Sequence, residues 1–240
     1  MFFLYCKKET YMRRITYPLI GLLILACPVI SVAQVPNEGI ANMIIQARQK
    51  NSAQLKQYAW TCRIELTQNG TVQDTRIDQI SYGPDGTPQQ MLLNDQSAQL
   101  PMGFLRRAIA ENQRQQTEQY IIDLRALVDQ YTLPSAGAVI NFISQANIQG
   151  GHAPDGSPIM QMTGTNVVNP GDTFFLAVNP TTFQTRRIQV STSYQGDAVT
   201  VTATFATLPS GLTYPQYVDV EVPDKQLSLL VQNYDYFPNG

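Results

Sequence analysis

The sequence predicts an α+β fold in which one curved antiparallel sheet of about nine strands carries about three helices on its concave face. Three observations lead to this prediction. Residues 58–67 alternate between apolar and polar side chains, which is typical of a half-buried strand. Two helical patterns occupy the middle of the chain. From about residue 148 onward, turn signals recur at intervals of roughly 10–15 residues, as in an antiparallel meander.

Residues 12–34 indicate an export signal. Arg13 and Arg14 form a positive head, and the following run, 15–30, is largely apolar and carries no charge. Residues 31–33 (Ser-Val-Ala) then supply the small–x–small pattern that precedes cleavage by signal peptidase. The rest of the chain is therefore expected to work outside the cytoplasm.

Processing of this leader has one favoured form and two alternatives. We expect a start at Met12 and cleavage between Ala33 and Gln34, so that residues 1–33 are removed and 34–240 form a single domain in the periplasm or outside the cell. A transmembrane anchor is disfavoured because the apolar run falls short of the roughly 20 residues that span a bilayer. The second alternative is lipidation of Cys27, which follows a lipobox-like Ile-Leu-Ala and would tether the protein to the outer membrane.

Composition argues against several kinds of partner. Four of the 16 basic residues and one of the 18 acidic residues lie in the leader, which leaves a mature net charge of −5. Binding to nucleic acid and electrostatic binding to anionic lipid both need a basic face, so we expect neither. Contact with a membrane is expected to be transient, or to occur through lipidated Cys27. After the leader Cys62 is the sole cysteine, which excludes an internal disulfide and favours a buried, unreactive thiol.

The helices are predicted from apolar spacing. The first covers 38–57, where apolar residues recur near the helical period and Asn37 precedes them as a cap. The second covers about 103–131, with amphipathic ends and a polar centre. The third begins at Pro134 and ends near residue 146, since proline is favourable in the first turn of a helix.

The strands are predicted from alternation and turn signals. Asn69-Gly70 follows the first strand and is the strongest short-range hairpin signal, with a partner strand at 71–82 and a third strand near 88–93. Pro-, Gly- and Asn-containing turns divide the second half of the chain, where alternation marks further strands at 186–194, 198–206, 217–222 and 226–237. Each amphipathic helix must bury its apolar side, and packing against one face of the sheet buries it.

The order of these elements resembles that of the periplasmic lipoprotein carriers and outer-membrane lipoprotein-sorting proteins of bacteria. A family of uncharacterised exported bacterial proteins is similar in the blocks YAWTCRIE (58–65), YGPDG (82–86), NPGD (169–172) and FATLPSG (205–211). The resemblance implies an unclosed β-barrel that holds helices in its mouth, so that 34–240 would be a half-barrel domain. These blocks consist of turn and core residues, and they carry no chemistry over to this chain.

No catalytic or metal-binding motif is present in the sequence, and we expect neither enzymatic activity nor a cofactor. Because His152 is the sole histidine, the chain cannot build a zinc site from several histidines. We expect His152 in a surface loop. Asp172 is explained by turn chemistry. Asp219 and Glu221 share one strand face and could meet a cation, but a solvated strand face is favoured.

The remaining candidate site is apolar. Side chains from the first strand and from the helices should face one interior, and the candidate ligand-binding residues are Trp60, Ile64, Leu66, Phe104, Leu105 and Phe142. We therefore expect an exported envelope binding protein that shelters a lipid, or a lipid-modified protein, in an apolar half-barrel. The alternative is a structural or protein-interaction module of the envelope with a fully packed core.

Overall fold

The computed structural model of the chain describes residues 37–97, 104–132 and 134–239, without the side chains of 95–97, 104–114 and 118. The predicted leader, with Met12, Cys27, Ala33 and Gln34, lies outside these residues. The described helices are α1 (Asn37–Leu55), α2 (Phe104–Thr132) and α3 (Ala136–Gln145). The described strands are β1 (Tyr58–Gln68), β2 (Thr71–Tyr82), β3 (Pro88–Ser97), β4 (Asn147–His152), β5 (Pro158–Thr165), β6 (Thr173–Val178), β7 (Thr185–Tyr194), β8 (Asp197–Thr207), β9 (Thr213–Val222) and β10 (Leu227–Pro238).

All ten strands belong to one antiparallel sheet, in the order β3-β2-β1-β10-β9-β8-β7-β6-β5-β4. The meander from β4 to β10 follows chain order, and its last strand pairs with β1, where Cys62 lies opposite Asn233. Strands β3 and β4 are the two edges of the sheet, and α2 and α3 connect these edges along the chain. The predicted α+β class and unclosed antiparallel sheet are confirmed, with ten strands instead of about nine.

The predicted hairpin at Asn69-Gly70 forms as expected. Both residues have positive φ, 52° and 71°, and they join Gln68 and Thr71, which are paired at the ends of β1 and β2. Asparagine and glycine tolerate this left-handed backbone better than other residues, and two such residues in succession match the right-handed twist of the strands. The turn therefore fixes which face of β2 lies beside which face of β1.

Two helix starts differ locally from the prediction. Asn37 is the first residue of α1 instead of a cap before it, and its Nδ2 donates to the carbonyl oxygen of Ile143 at 3.2 Å, which ties α1 to α3. Helix α3 begins after Ser135 and not at Pro134, because the Ser135 hydroxyl accepts a hydrogen bond from the backbone N–H of Ala138 at 3.2 Å. A serine cap satisfies an N–H group that the helix itself cannot pair.

The three helices pack on one face of the sheet, called the inner face below. Their buried apolar residues are Ala41, Ile44, Tyr120, Leu124, Leu127, Val128, Tyr131, Val139, Phe142 and Ile143. They meet sheet residues of β5 to β10, which are Met162, Phe174, Leu176, Val178, Ile188, Val190, Val199, Val201, Ala203, Val220, Val222 and Leu227. Each large apolar side chain buried in this way stabilises the fold by roughly 1.5–3 kcal/mol.

Polar contacts fix α2 in place as well. Each of three tyrosine hydroxyls donates to an aspartate carboxylate across the boundary between α2 and the sheet or its loops, at 3.2, 2.9 and 2.7 Å: Tyr120 to Asp197, Tyr194 to Asp123 and Tyr131 to Asp172. Burial and the neighbouring carboxylate raise the pKa of Tyr120 to about 12, so its hydroxyl keeps its proton at neutral pH and remains a donor. The second half of α2 is thus held by directional bonds in addition to apolar packing.

Candidate functional site

The inner face of the sheet has two regions that differ in how far they are covered. The sealed region lies under the helices, and its sheet side is represented by the buried residues Met162, Phe174, Val190, Val201 and Val220. The half-covered region lies on β1, β2 and β10. Its half-buried apolar residues are Trp60, Ile64, Leu66, Ile80 and Val231, and on the same face β2 contributes the charged residues Asp74, Arg76 and Asp78. The two regions meet at Leu66, which packs against the edge of the buried core.

The structure places three of the six sequence-predicted site residues in the half-covered region. Trp60, Ile64 and Leu66 share the inner face of β1, as their alternation predicts. Phe104 and Leu105 are the first residues of α2, and their side chains lie outside the described part of the chain. The six residues as one binding set therefore stay a prediction.

Phe142 belongs to the sealed region. Its side chain is 7% exposed and meets the ring of Phe174 edge to face, with ring centroids 4.8 Å apart. The ring also packs over Gly164, where a Cβ atom would lie only 2.9 Å from a ring carbon. Phe142 thus fills space that a side chain at residue 164 would otherwise occupy, and this explains the glycine.

An aromatic cluster forms one end of the half-covered region. The Trp60 ring stacks on Tyr236 with 8° between the planes and 5.4 Å between centroids, while Tyr82 and Tyr214 extend the cluster on either side. The indole N–H of Trp60 donates to Asn233 at 3.1 Å, and Asn233 in turn donates to a carbonyl of β9 at 2.8 Å. Burial raises the pKa of Tyr236 far above its ordinary value. The Tyr236 hydroxyl therefore keeps its proton, and the four rings form one continuous aromatic surface.

A buried carboxylate lies beside this apolar surface. Asp78 is 0% exposed, and its Oδ2 accepts hydrogen bonds from Arg76 at 2.7 Å and Gln90 at 2.6 Å, while its Oδ1 has no hydrogen-bond partner in the described chain. Burial, and then the charge of Asp78, raise the pKa of the Cys62 thiol to about 11. The predicted burial of Cys62 is confirmed, and a thiol with this pKa stays protonated at neutral pH.

Asp172 does more than close the predicted turn. It is 1% exposed, and its carboxylate accepts hydrogen bonds from the backbone N–H groups of Val167, Val168 and Asn169 and from the hydroxyl of Tyr131, at 2.7–2.9 Å. Burial alone would raise the pKa of Asp172, but these donors hold it below its ordinary value. The carboxylate has all its partners within the protein, so its role is to fold the loop before β6.

The other polar candidates do not form a site. His152 is the last residue of β4, paired with Pro158, so it lies in an edge strand and not in the predicted loop; its side chain is exposed. Asp219 and Glu221 share the outer face of β9, where burial and then the charge of Glu221 raise the pKa of Asp219. Within the described ranges, no group of three potential metal-ligating side chains occurs. None of the helices described is both long and apolar enough to cross a membrane.

Comparison with known proteins finds similarity in structure alone. No protein-family model and no curated protein matches the chain. A DUF1329 family protein from Desulfovibrio piger is 10% identical, with a TM-score of 0.42 over 85% of this chain and 93% of that one. A LolA superfamily protein from Nitrosomonas europaea is 12% identical, with a TM-score of 0.34 over 83% and 94%. A Vibrio parahaemolyticus domain assigned to outer membrane lipoprotein sorting is 9% identical, with a TM-score of 0.36 over 83% and 93%.

Proposed function

We propose that the mature chain is an exported envelope protein that shelters the acyl chain of a lipid, or of a lipid-modified protein, on the half-covered region and performs no catalysis. The supporting observation is that Trp60, Ile64 and Leu66 continue the apolar inner face beyond the strands on which the described helix side chains pack, yet remain half-buried. Apolar side chains exposed next to a completed core are a feature of binding surfaces. An acyl chain laid over them would complete the cover that the described helix side chains leave unfinished.

The energetics favour reversible binding at this surface. Each methylene of an acyl chain that leaves water contributes roughly 0.8 kcal/mol, so a chain of moderate length binds through area alone. The sealed region offers no such gain, because a ligand there would first have to displace side chains such as Val201, which is 0% exposed. Outside the cytoplasm no ATP supply drives a cycle, so loading and release would follow differences in affinity between donor and acceptor.

Recovery of the protein from its native envelope tests the proposal directly. We expect native extraction to yield bound lipid. Trp60, the sole tryptophan of the chain, then serves as a reporter, because a dibrominated fatty acid bound on the half-covered region quenches its fluorescence. The variant Ile64→Asn is expected to bind the brominated fatty acid at least about tenfold more weakly, since it loses most of one buried aliphatic contact.

Thr67→Ala is the matched control, since Thr67 lies on the same strand but on the opposite face from Leu66. It should bind the brominated fatty acid as the unaltered protein does. Extraction without lipid, together with unquenched Trp60 at saturating fatty acid, would contradict the proposal. That result would favour the structural module, for which the sealed region already supplies a packed core.

The place of action forms a separate part of the proposal and needs its own measurement. We infer an exported protein whose mature chain begins at Gln34, in the periplasm or outside the cell. The intact mass of the protein recovered from its native envelope tests this inference. A mass beginning at Gln34 supports free diffusion, a mass beginning at an acylated Cys27 supports tethering to the outer membrane, and an uncleaved leader overturns cleavage at both positions.

A further inference from the structure

A second concave site lies away from the half-covered region. It is an open cleft of about 590 Å³ between the last turn of α3 and strands β5 to β8. Strand β4 pairs with β5 only as far as Thr163, so the end of β5 at Gly164 and Thr165 has no β4 residue beside it. The cleft passes around this free end onto the outer face of the sheet, and its volume lies within the roughly 300–1,000 Å³ of small-ligand sites.

The lining of this cleft has an unusual chemistry. No lining residue is ionisable, and most of them carry a hydroxyl or a carboxamide: Asn141, Gln145, Asn147, Thr163, Thr165, Asn166, Thr173, Gln189, Ser191 and Thr200. One aromatic ring, Phe175, lies half-buried on the outer face among them, with Thr163 and Gln189 as its register partners on the neighbouring strands. The lining also includes the apolar residues Phe142, Val167, Phe174 and Val190, so the cleft combines neutral donors and acceptors with apolar surface, of which the Phe175 ring is the part on the outer face.

Five of these ten polar side chains are free to bind a ligand. Within the described chain, the side chains of Thr163, Thr173, Gln189, Ser191 and Thr200 make no hydrogen bond to the protein. Hydroxyls and carboxamides both donate and accept, so each of the five can pair with a ligand hydroxyl in either sense. They differ in this from the carboxylate of Asp172, which is fully used by the protein.

We propose that this cleft binds a neutral oligosaccharide. A charged ligand would find no counter-charge in the lining, and an acyl chain would remove hydroxyls and amides from water without pairing them, which costs free energy. A sugar satisfies both constraints, because its hydroxyls match the neutral polar groups while the apolar C–H face of its ring stacks on Phe175. The site lies mainly on the face opposite the acyl-binding region, so the two proposals stand independently.

Titration of the ¹⁵N-labelled protein with neutral trisaccharides, maltotriose and tri-N-acetylchitotriose, tests the assignment by NMR. At least one of them should bind, with shift changes at backbone amides of Phe175, Gln189 and Ser191. The double substitution Gln189→Ala with Ser191→Ala should weaken that binding about tenfold. Thr204→Ala is the matched control, because Thr204 is exposed on the same face of β8 as Thr200 but lies outside the cleft, and it should bind normally.

Two further arms decide the chemical class. A capped neutral tripeptide and a trigalacturonate of the same length are titrated under the same conditions, and both should leave the cleft amides unshifted. Phe175→Leu keeps an apolar side chain for folding but removes the ring, and it should weaken trisaccharide binding by a similar factor. The proposal is overturned if neither trisaccharide binds with a Kd below about 10 mM, if the tripeptide or trigalacturonate binds instead, or if the double variant binds as well as the Thr204→Ala control.

Discussion

The sealed and half-covered regions lie on the same face of the same sheet, yet they meet water differently. In the sealed region Leu124 is 1% exposed and Val201 is 0% exposed, whereas Ile64 and Leu66 in the half-covered region are half-buried. Both regions use branched aliphatic and aromatic side chains, so residue type does not account for the difference. The position of the described helix side chains accounts for it, since these pack over β5 to β10. Stability should therefore depend mainly on the first region and ligand binding on the second.

The largest effect is expected when one leucine is truncated in each region. Leu124→Ala removes a fully buried side chain and should lower the free energy of unfolding by about 3 kcal/mol. Leu66→Ala removes one that is already half in water and should cost about 1 kcal/mol. Urea unfolding of both variants measures the contrast. Equal losses would mean that the two regions form one packed core, and the distinction between them would fail.

A smaller effect is expected when Asp172, the buried carboxylate bound by Tyr131 of α2, is changed. Asp172→Asn keeps the shape of the side chain but replaces an acceptor by a donor that faces backbone N–H groups, and it should cost about 2 kcal/mol. Because donors hold the folded pKa of Asp172 below its unfolded value, its ionised form stabilises the fold above about pH 4. This contribution is lost as the pH falls through the lower, folded pKa.

Urea unfolding at about pH 3 and pH 6 therefore separates the two proteins. The unaltered chain should lose more stability on acidification than Asp172→Asn does. The control is Asp129→Asn, an exposed carboxylate on α2, which should stay within about 0.5 kcal/mol of the unaltered chain at pH 6. An identical acid response in the unaltered chain and Asp172→Asn would show that these donors do not stabilise the ionised form of Asp172.

A still smaller loss of stability is expected in the aromatic cluster at the end of the half-covered region. Trp60→Phe keeps an aromatic ring over Tyr236 but loses the N–H that donates to Asn233, and it should cost about 1 kcal/mol. Thermal unfolding is compared with that of Tyr58→Phe, which removes a hydroxyl at the start of the same strand. A loss in Trp60→Phe as large as that in Leu124→Ala would place the aromatic cluster within the core.

The smallest effect is expected where α2 faces water. Ile122 is 60% exposed, so Ile122→Ser should change the free energy of unfolding by less than about 0.5 kcal/mol. Urea unfolding against Leu124→Ala then compares two apolar residues two positions apart on one helix. A large loss at Ile122 would show that this outward side of α2 is covered in solution.

Local patterns in the sequence were sufficient for the elements and for much of their orientation. The alternation around Trp60 and Ile64 predicted which side of β1 faces the core, and the Asn69-Gly70 turn predicted the first strand pair. Periodicity also indicated that Phe142 is buried. It could not indicate against which strands Phe142 packs, because that depends on contacts between distant parts of the chain, here with Phe174 and Gly164.

Charged residues on the inner face were the main feature that the sequence concealed. Asp74, Arg76 and Asp78 alternate along β2, and alternating charge ordinarily indicates a solvated strand face. The structure instead turns this face toward Leu66, Ile64 and Cys62 and buries Asp78 completely. A charged residue becomes tolerable there because Arg76 and Gln90 bind it, and a pairing of this kind cannot be inferred from spacing alone.

The pairing of β1 with β10 has a consequence for the order in which the chain can fold. Near the centre of the sheet, Tyr58 lies opposite Pro238, so two neighbouring strands are separated by almost the whole described sequence. As the chain emerges from the ribosome, β1 has no partner on that side until β10 has been synthesised. Contacts between such distant segments form late and slowly. The completed sheet is thus a post-translational structure, and a chain released from the ribosome passes through a state in which β1 still lacks its neighbour β10.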